Sequence, residues 1–142
     1  MTVHQLSIFI ENRSGTLIKV LEVLKQSGIQ IVASTIADTA EYGIYRLICS
    51  EPMRACEELK KANIAVALSD VFALEIDDQP GRAADAVKIF SEAGISIAYL
   101  YSFLLRGKGI LIFRTDDNEQ AVKVIEENHL NSISESDLSA LA

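Results

Sequence analysis

The sequence contains an internal repeat that constrains its fold more than any other feature. Gly15 and Gly81 are 66 positions apart, and the same offset carries Ser27-Gly28-Ile29 onto Ala93-Gly94-Ile95 and Tyr42-Gly43-Ile44 onto Lys108-Gly109-Ile110. A unit of this length that occurs twice indicates two similar domains, because a solenoid needs at least three shorter units. We therefore predict one domain at residues 1–69 and a second at residues 70–142.

The apolar pattern within each copy predicts the order strand, helix, strand, strand, helix, strand. Residues 3–10 alternate between two faces, as in a strand, whereas Leu17, Val20, Leu21 and Leu24 follow helical spacing. This order predicts an α+β fold of two tandem ferredoxin-like βαββαβ units, each an antiparallel sheet with its helices on one face. The weakly patterned tail, residues 134–142, is expected to fray.

Each copy carries a turn that leads from its first strand into its first helix. The turns are Glu11-Asn12-Arg13-Ser14-Gly15-Thr16 and Asp77-Asp78-Gln79-Pro80-Gly81-Arg82. The start of a helix presents free backbone N–H groups and the positive end of the helix dipole, which together favour an anion. The turns are therefore candidate sites for an anionic group.

The second turn resembles a motif of the ACT domain, a small-molecule sensing module found mostly in amino-acid metabolism. Asp78-Gln79-Pro80-Gly81 is similar to that family's Asp/Asn-x-Pro-Gly turn, and the resemblance covers nearly the whole chain as two copies. The first copy departs from the pattern at Ser14, where Pro is usual. Because a fold alone does not fix a function, the expectations for the site rest on this turn.

The resemblance implies that a free amino acid binds at the turns and against the second strand of a neighbouring copy. Its carboxylate suits the backbone N–H groups at the helix start, and its ammonium group suits the side chain of Asn12 or Asp78. The alternative is that Asn12 and Asp78 only cap their helices. We expect the second site to bind more tightly, because Pro80 stiffens its turn and Asp78 is charged. The predicted ligand-binding residues are Asn12, Ser14, Gly15, Thr16, Leu17, Ser34, Thr35, Ile36, Asp78, Pro80, Gly81, Arg82, Ala83, Leu100, Tyr101 and Ser102.

No other residue pattern predicts catalysis, a metal site or a cofactor. His4 and His129 lack a cluster of metal-ligating neighbours and are interpreted as structural, and Cys49 and Cys56 as small buried hydrophobic residues. The chain is therefore expected not to be an enzyme. Two alternatives stay open: a small acylphosphatase-like enzyme that uses Arg13 or Arg82, and an assembly module whose turns hold no ligand.

Composition limits the partners. The net charge of -7 argues against nucleic acid, which is usually bound by clustered Lys and Arg. The sequence has no apolar stretch long enough to span a membrane, and its first residues lack the pattern of a signal peptide, so we expect a cytoplasmic protein. The expected partners are a free amino acid, further copies of the chain in a homodimer or larger homo-oligomer, and a separate metabolic enzyme.

Overall fold

The computed structural model describes residues 1–11, 15–38, 42–77 and 79–140, except for the side chain of Asp38. The strands are β1 (Val3–Glu11), β2 (Ile31–Asp38), β3 (Tyr42–Cys49), β4 (Val66–Ile76), β5 (Ile97–Leu105) and β6 (Lys108–Thr115). The helices are α1 (Thr16–Gln26), α2 (Pro52–Lys61), α3 (Arg82–Glu92), α4 (Asn118–Glu127) and α5 (Glu135–Ala140).

The chain divides into two compact units, and it passes from one to the other within β4. The N-terminal unit comprises His4–Ser69 and Glu135–Ala142, and the C-terminal unit comprises Met1–Val3 and Asp70–Ser134. The chain passes between the units at residues 69 and 70, and its two ends belong to the units that contain the opposite repeat. The assignment of residues 1–69 and 70–142 to two domains stays a prediction.

The N-terminal unit has the strand order of a ferredoxin-like fold. The order is β2-β3-β1-β4, with the first residues of β4 in this unit, and both β1 and β2 pair with β3 in antiparallel fashion. Alternate residues of β1 and β3 face α1 and α2, because the side chains of a strand point to opposite faces in turn. The buried residues of this core include Leu6, Ile8, Val20, Leu24, Leu47 and Leu59.

The C-terminal unit repeats this arrangement with the order β4-β6-β5. Antiparallel pairing joins β4 to β6 and β6 to β5, and the core packs the sheet against α3 and α4. Phe113 is its aromatic centre, with ring centroids 5.6 Å from Phe72 and 5.0 Å from Phe90. The predicted α+β fold of two tandem ferredoxin-like units with antiparallel sheets and helices on one face is confirmed.

The repeat extends to individual backbone hydrogen bonds. Phe9 N–H donates to the carbonyl of Ala65 at 3.0 Å, and 66 residues later Glu75 N–H donates to the carbonyl of Asn131 at 2.8 Å. Asn131 is followed by an antiparallel bridge between Leu74 and Ser132. Residues 131–133 therefore take the place that the start of β4 has in the first copy.

Two parts of the chain differ from the predicted elements. The last strand of the first copy and the first strand of the second were expected to be separate, but they form one strand, β4, because Leu68-Ser69-Asp70-Val71 contains neither glycine nor proline to break it. The tail was expected to fray, but residues 135–140 form α5, in which Leu138 is 1% exposed. His4 N–H donates to Glu135 Oε1 at 2.8 Å at the start of this helix.

Candidate functional site

The first helix of each unit begins at a glycine in a left-handed conformation. Gly15 has φ 92° and Gly81 has φ 87°, a region that L side chains rarely adopt. The carbonyls of these glycines accept from the N–H groups of Lys19 and Asp85, at 3.1 and 3.0 Å, which closes the first helical turn. Because glycine has no side chain, this position cannot cap the first helical turn. In α3, Arg82 N–H donates to the carbonyl of Gln79 at 3.3 Å, so an outside acceptor would use the N–H groups that follow it.

A pocket of about 370 Å³ lies at this turn in the N-terminal unit. Its volume falls within the range of roughly 300–1,000 Å³ that small-molecule sites occupy. The hydroxyl of Thr16 donates to the carbonyl of Glu11 at 2.8 Å and so ties the end of β1 to the start of α1 at its edge. The pocket, called the N pocket below, is lined by Phe9, Ile10, Glu11, Thr16, Lys19, Val20, Tyr42, Asn63, Ile64 and Ala65.

A pocket of about 400 Å³ lies at the corresponding turn of the C-terminal unit. The offset of 66 carries nine of the ten N-pocket residues onto its lining, all except Asn63. It is called the C pocket below and is lined by Glu75, Ile76, Asp77, Arg82, Asp85, Ala86, Ile89, Lys108, Leu130 and Asn131. The two copies therefore form one kind of pocket twice, at one place in the fold.

The two pockets carry different side chains at equivalent positions. In the C pocket, Arg82 lies 3.7 Å from Asp77 and 3.4 Å from Asp85, and Lys108 lies 3.5 Å from Glu75. In the N pocket the positions of Glu75 and Lys108 are taken by the aromatic residues Phe9 and Tyr42. Their ring centroids are 6.4 Å apart.

Lys19 of the N pocket occupies the position of Asp85 in the C pocket, so the repeat reverses the charge there. Lys19 is exposed on the first turn of α1, and among the residues that the structure describes it has no ion-pair partner. A cation beside a helix start is a favourable neighbour for a carboxylate ligand.

The predicted site residues fall into four groups. Thr16 and Arg82 line the N and C pockets, respectively. Gly15, Leu17, Pro80, Gly81 and Ala83 belong to the same turns or helix starts, although the side chain of Leu17 packs against the core. Asn12, Ser14 and Asp78 lie outside the described residues, so their predicted roles as ligand partners or caps stay predictions.

The remaining predicted site residues lie on edge strands and do not line either pocket. Ser34, Thr35 and Ile36 are in β2, and Leu100, Tyr101 and Ser102 are in β5. Each of these strands is hydrogen-bonded to one neighbour and ends its strand order. The predicted contact of these residues with a ligand was assigned to a neighbouring copy, and it stays a prediction.

Sequence reasoning did not find the side chains that distinguish the N pocket. The alternation of residues 3–10 puts Phe9 on one face of a strand, and no sequence pattern predicts a role for Tyr42 or Lys19. The offset of 66 relates Phe9, Lys19 and Tyr42 to the charged residues Glu75, Asp85 and Lys108, but no sequence pattern placed these residues at the second turn. What the offset did not show is that Glu11 pairs with Tyr42 across β1 and β3, which brings Tyr42 to the turn.

Other reactive or metal-ligating side chains do not form a site in the described parts of the chain. Burial raises the pKa of the Cys49 thiol to about 11, which disfavours the thiolate that a nucleophile needs. The guanidinium of Arg54 donates to Glu51 and lowers the pKa of that exposed carboxyl. Across the described ranges, no cluster of three or more His, Cys, Asp or Glu side chains could hold a metal ion. No helix in these ranges has the length and apolar character needed to cross a membrane.

Two βαββαβ units, each with a pocket where its first strand turns into its first helix, define a class of paired α+β modules. The chain belongs to the family described as the ACT domain pair, whose family model matches residues 1–142. A comparison with curated proteins gave no significant match.

Solved structures share this fold. The crystal structure of protein BT0572 from Bacteroides thetaiotaomicron is 35% identical, with a TM-score of 0.93, and the match covers 98% of this chain and 96% of that one. The regulatory subunit of aspartate kinase from Thermus thermophilus, in its ligand-free form, is 17% identical with a TM-score of 0.65, covering 87% and 91%. The corresponding subunit from Thermus flavus is 16% identical with a TM-score of 0.62, covering 91% and 94%.

Proposed function

We propose that this protein is a regulatory module that binds a free amino acid and passes on its occupancy to another protein or to its own assembly. The observation that carries the proposal is the recurrence of one pocket at the strand-to-helix turn of both units. The two pockets share nine equivalent lining positions, so they follow from the repeated fold and not from a local packing defect in one unit. Membership of the ACT domain pair family supports the same function.

The chemistry of the turn suits an amino-acid headgroup. The carboxylate would accept from N–H groups at the start of α1 or α3, where Gly15 and Gly81 leave open space: a Cβ built on either glycine meets no atom within 4 Å. The ammonium group would be held by Asn12 or Asp78, as the sequence predicts. Residues of the edge strands β2 and β5 would reach the ligand from a neighbouring copy: Ser34, Thr35, Ile36, Leu100, Tyr101 and Ser102.

Regulation would follow from a difference in affinity between two arrangements of the protein. A ligand shifts such an equilibrium only as far as it binds one arrangement more tightly than the other. Two solved relatives are described as regulatory subunits of aspartate kinase, which supports a role beside a separate metabolic enzyme rather than catalysis. We infer a cytoplasmic homo-oligomer as the working form.

The proposal is tested by thermal unfolding of the full chain in the presence of each of the twenty amino acids at millimolar concentration. A ligand that binds only the native state adds about 2.7 kcal/mol to its stability at a hundredfold excess over the dissociation constant. A raised midpoint with one or a few related amino acids is the expected result. No shift with any of the twenty would overturn the proposal.

A second candidate function is assembly without a ligand, and β5 favours it. This edge strand exposes Leu100 at 44% and Leu104 at 66%. An edge strand with exposed apolar side chains tends to pair with another chain, so its exposure favours assembly. Size-exclusion chromatography separates the candidates. A sensor that signals through its assembly changes elution with its amino acid, whereas a constitutive assembly elutes at one position with or without it.

A further inference from the structure

A side-chain contact spans each strand-to-helix turn and joins the end of the strand to the first residue of the helix. In the N-terminal unit, the hydroxyl of Thr16 donates to the main-chain carbonyl of Glu11 at 2.8 Å. In the C-terminal unit, Nε of Arg82 lies 3.7 Å from a carboxylate oxygen of Asp77. The offset of 66 carries Glu11 onto Asp77 and Thr16 onto Arg82. The two copies therefore close equivalent turns between equivalent positions.

The two contacts differ in their chemistry. The Thr16 contact is a hydrogen bond to a main-chain atom, so it depends on no charged group. The Arg82 contact is an ion pair between side chains that are 48% and 66% exposed, and salt screens such pairs. Arg82 also lies 3.4 Å from Asp85 on the first turn of α3, which keeps its guanidinium beside the helix start. The C-terminal turn thus relies on charges where the N-terminal turn relies on a hydroxyl.

We propose that Thr16 and Arg82 are positioning residues for the amino-acid sites, and that ionic strength controls the closure of the C-terminal turn but not of the N-terminal turn. The inference rests on the proposed function. A turn that is already closed binds its ligand more tightly, because binding then does not have to order the turn. Thr16 supplies this preorganisation at any salt concentration, whereas Arg82 supplies it only at low ionic strength.

Two backbone hydrogen bonds report on the order of the turns without any ligand. Lys19 N–H donates to the carbonyl of Gly15 at 3.1 Å, and Asp85 N–H donates to the carbonyl of Gly81 at 3.0 Å. Each bond links the glycine that ends the turn to the first turn of the helix. Protection of the Lys19 and Asp85 amides from hydrogen exchange therefore measures how often each turn opens.

The first test is amide hydrogen exchange of the full chain by NMR, at low salt and at about 1 M NaCl, where the Debye length is about 3 Å. The repeat supplies matched variants, Asp77→Asn and Glu11→Gln, which remove the side-chain charge at equivalent positions. Thr16→Val removes the hydroxyl, and Thr16→Ser keeps one. Arg82→Gln removes the guanidinium, and Arg82→Lys keeps a positive charge.

At the C-terminal turn, salt and the loss of charge should have the same effect. In the unmodified chain, about 1 M NaCl should lower the protection of the Asp85 amide by about twofold to fivefold. Asp77→Asn and Arg82→Gln should lower it by a similar factor at low salt and have no effect at high salt. Arg82→Lys should retain part of the protection.

At the N-terminal turn, the hydroxyl and not the charge should matter. Thr16→Val should lower the protection of the Lys19 amide by about twofold to tenfold at both salt concentrations, and Thr16→Ser should restore it. Glu11→Gln should have no effect, because the acceptor is the main-chain carbonyl. Equal effects of Glu11→Gln and Asp77→Asn, or an effect of Asp77→Asn that is the same at both salt concentrations, would overturn the inference.

The second test is isothermal titration calorimetry of the same variants with each of the twenty free amino acids at both salt concentrations. Thr16→Val should weaken binding at both, and Asp77→Asn at low salt alone, by the factors seen in exchange. Unchanged affinities in variants whose exchange has changed would show that these contacts do not position a ligand, and would overturn the inference while the proposed function stands. Binding of none of the twenty to the unmodified chain would instead overturn the proposed function, so the two failures are distinguishable.

Discussion

Gly81 begins α3 with a backbone conformation that other residues adopt only under strain. A Cβ added there meets no atom within 4 Å, so the effect of a substitution comes from its φ of 87° and not from a clash. We predict that Gly81→Ala lowers the free energy of unfolding by about 1 kcal/mol, measured by urea denaturation. Gly81→Asn is the control, because Asn tolerates a positive φ better and should lose less. Equal stability of Gly81→Ala and the unmodified chain would contradict this account of the turn.

Gly109 is required for a different reason, the close approach of β4. A Cβ at Gly109 would lie 2.9 Å from Cγ1 of Ile76, whereas at the equivalent Gly43 it would lie 3.2 Å from Cγ1 of Ile10. We predict that Gly109→Ala destabilises the protein by about 1–3 kcal/mol, the usual range for overpacking, and by more than Gly43→Ala does. The loss should shrink in an Ile76→Ala background, as a double-mutant cycle measures. The same loss in both backgrounds would argue against a clash.

The sequence predicted individual residues correctly where the local backbone conformation strongly favours one residue type. The offset identified Gly15 and Gly81 as helix starts, because a left-handed turn strongly favours glycine. The offset could not distinguish the two pockets, because it relates equivalent positions of the two copies without regard to their side chains. The change from Lys19 to Asp85 can be interpreted only from the structure, which shows that Arg82 lies within ion-pair distance of Asp77 and Asp85.

At the scale of elements, α5 is held by a single buried side chain and a hydrogen-bonded start. Leu138 is 1% exposed, and Glu135 accepts from the N–H of His4 at 2.8 Å while His4 Nδ1 lies 2.8 Å from the same oxygen. We predict that Leu138→Ala lowers the free energy of unfolding by about 2–5 kcal/mol, as for other buried leucines. Ser139→Ala, at another position of the same helix, serves as the control.

Amide hydrogen exchange of residues 135–140 is the second measurement on this helix. Leu138→Ala should remove their protection from exchange first, because a six-residue helix has little stability of its own. Unchanged protection in this variant would show that α5 does not depend on Leu138.

The number of buried apolar residues in a helix decides whether the sequence pattern predicts it. This explains why α1 to α4 were predicted and α5 was not. Helices α1 to α4 each have several inward apolar residues at regular spacing, so the pattern itself identifies them. In α5 only Leu138 is buried, and one residue establishes no period. Its helix depends on contacts with the N-terminal unit, which the sequence order of the two copies does not indicate.

For the molecule as a whole, the repeat explains both what is shared and what differs between the units. Fold, turns and pocket positions are common to both copies, and the pocket side chains are not. A duplicated unit can keep its architecture while one copy specialises, since the core residues and the pocket residues are different sets. We interpret the two pockets as two proposed amino-acid sites that differ in their side chains.

Native mass spectrometry of the full chain with the amino acid that most raises its unfolding midpoint tests the account most directly. The account predicts at least one bound amino acid per chain at saturation. No bound molecule with any of the twenty amino acids would contradict it.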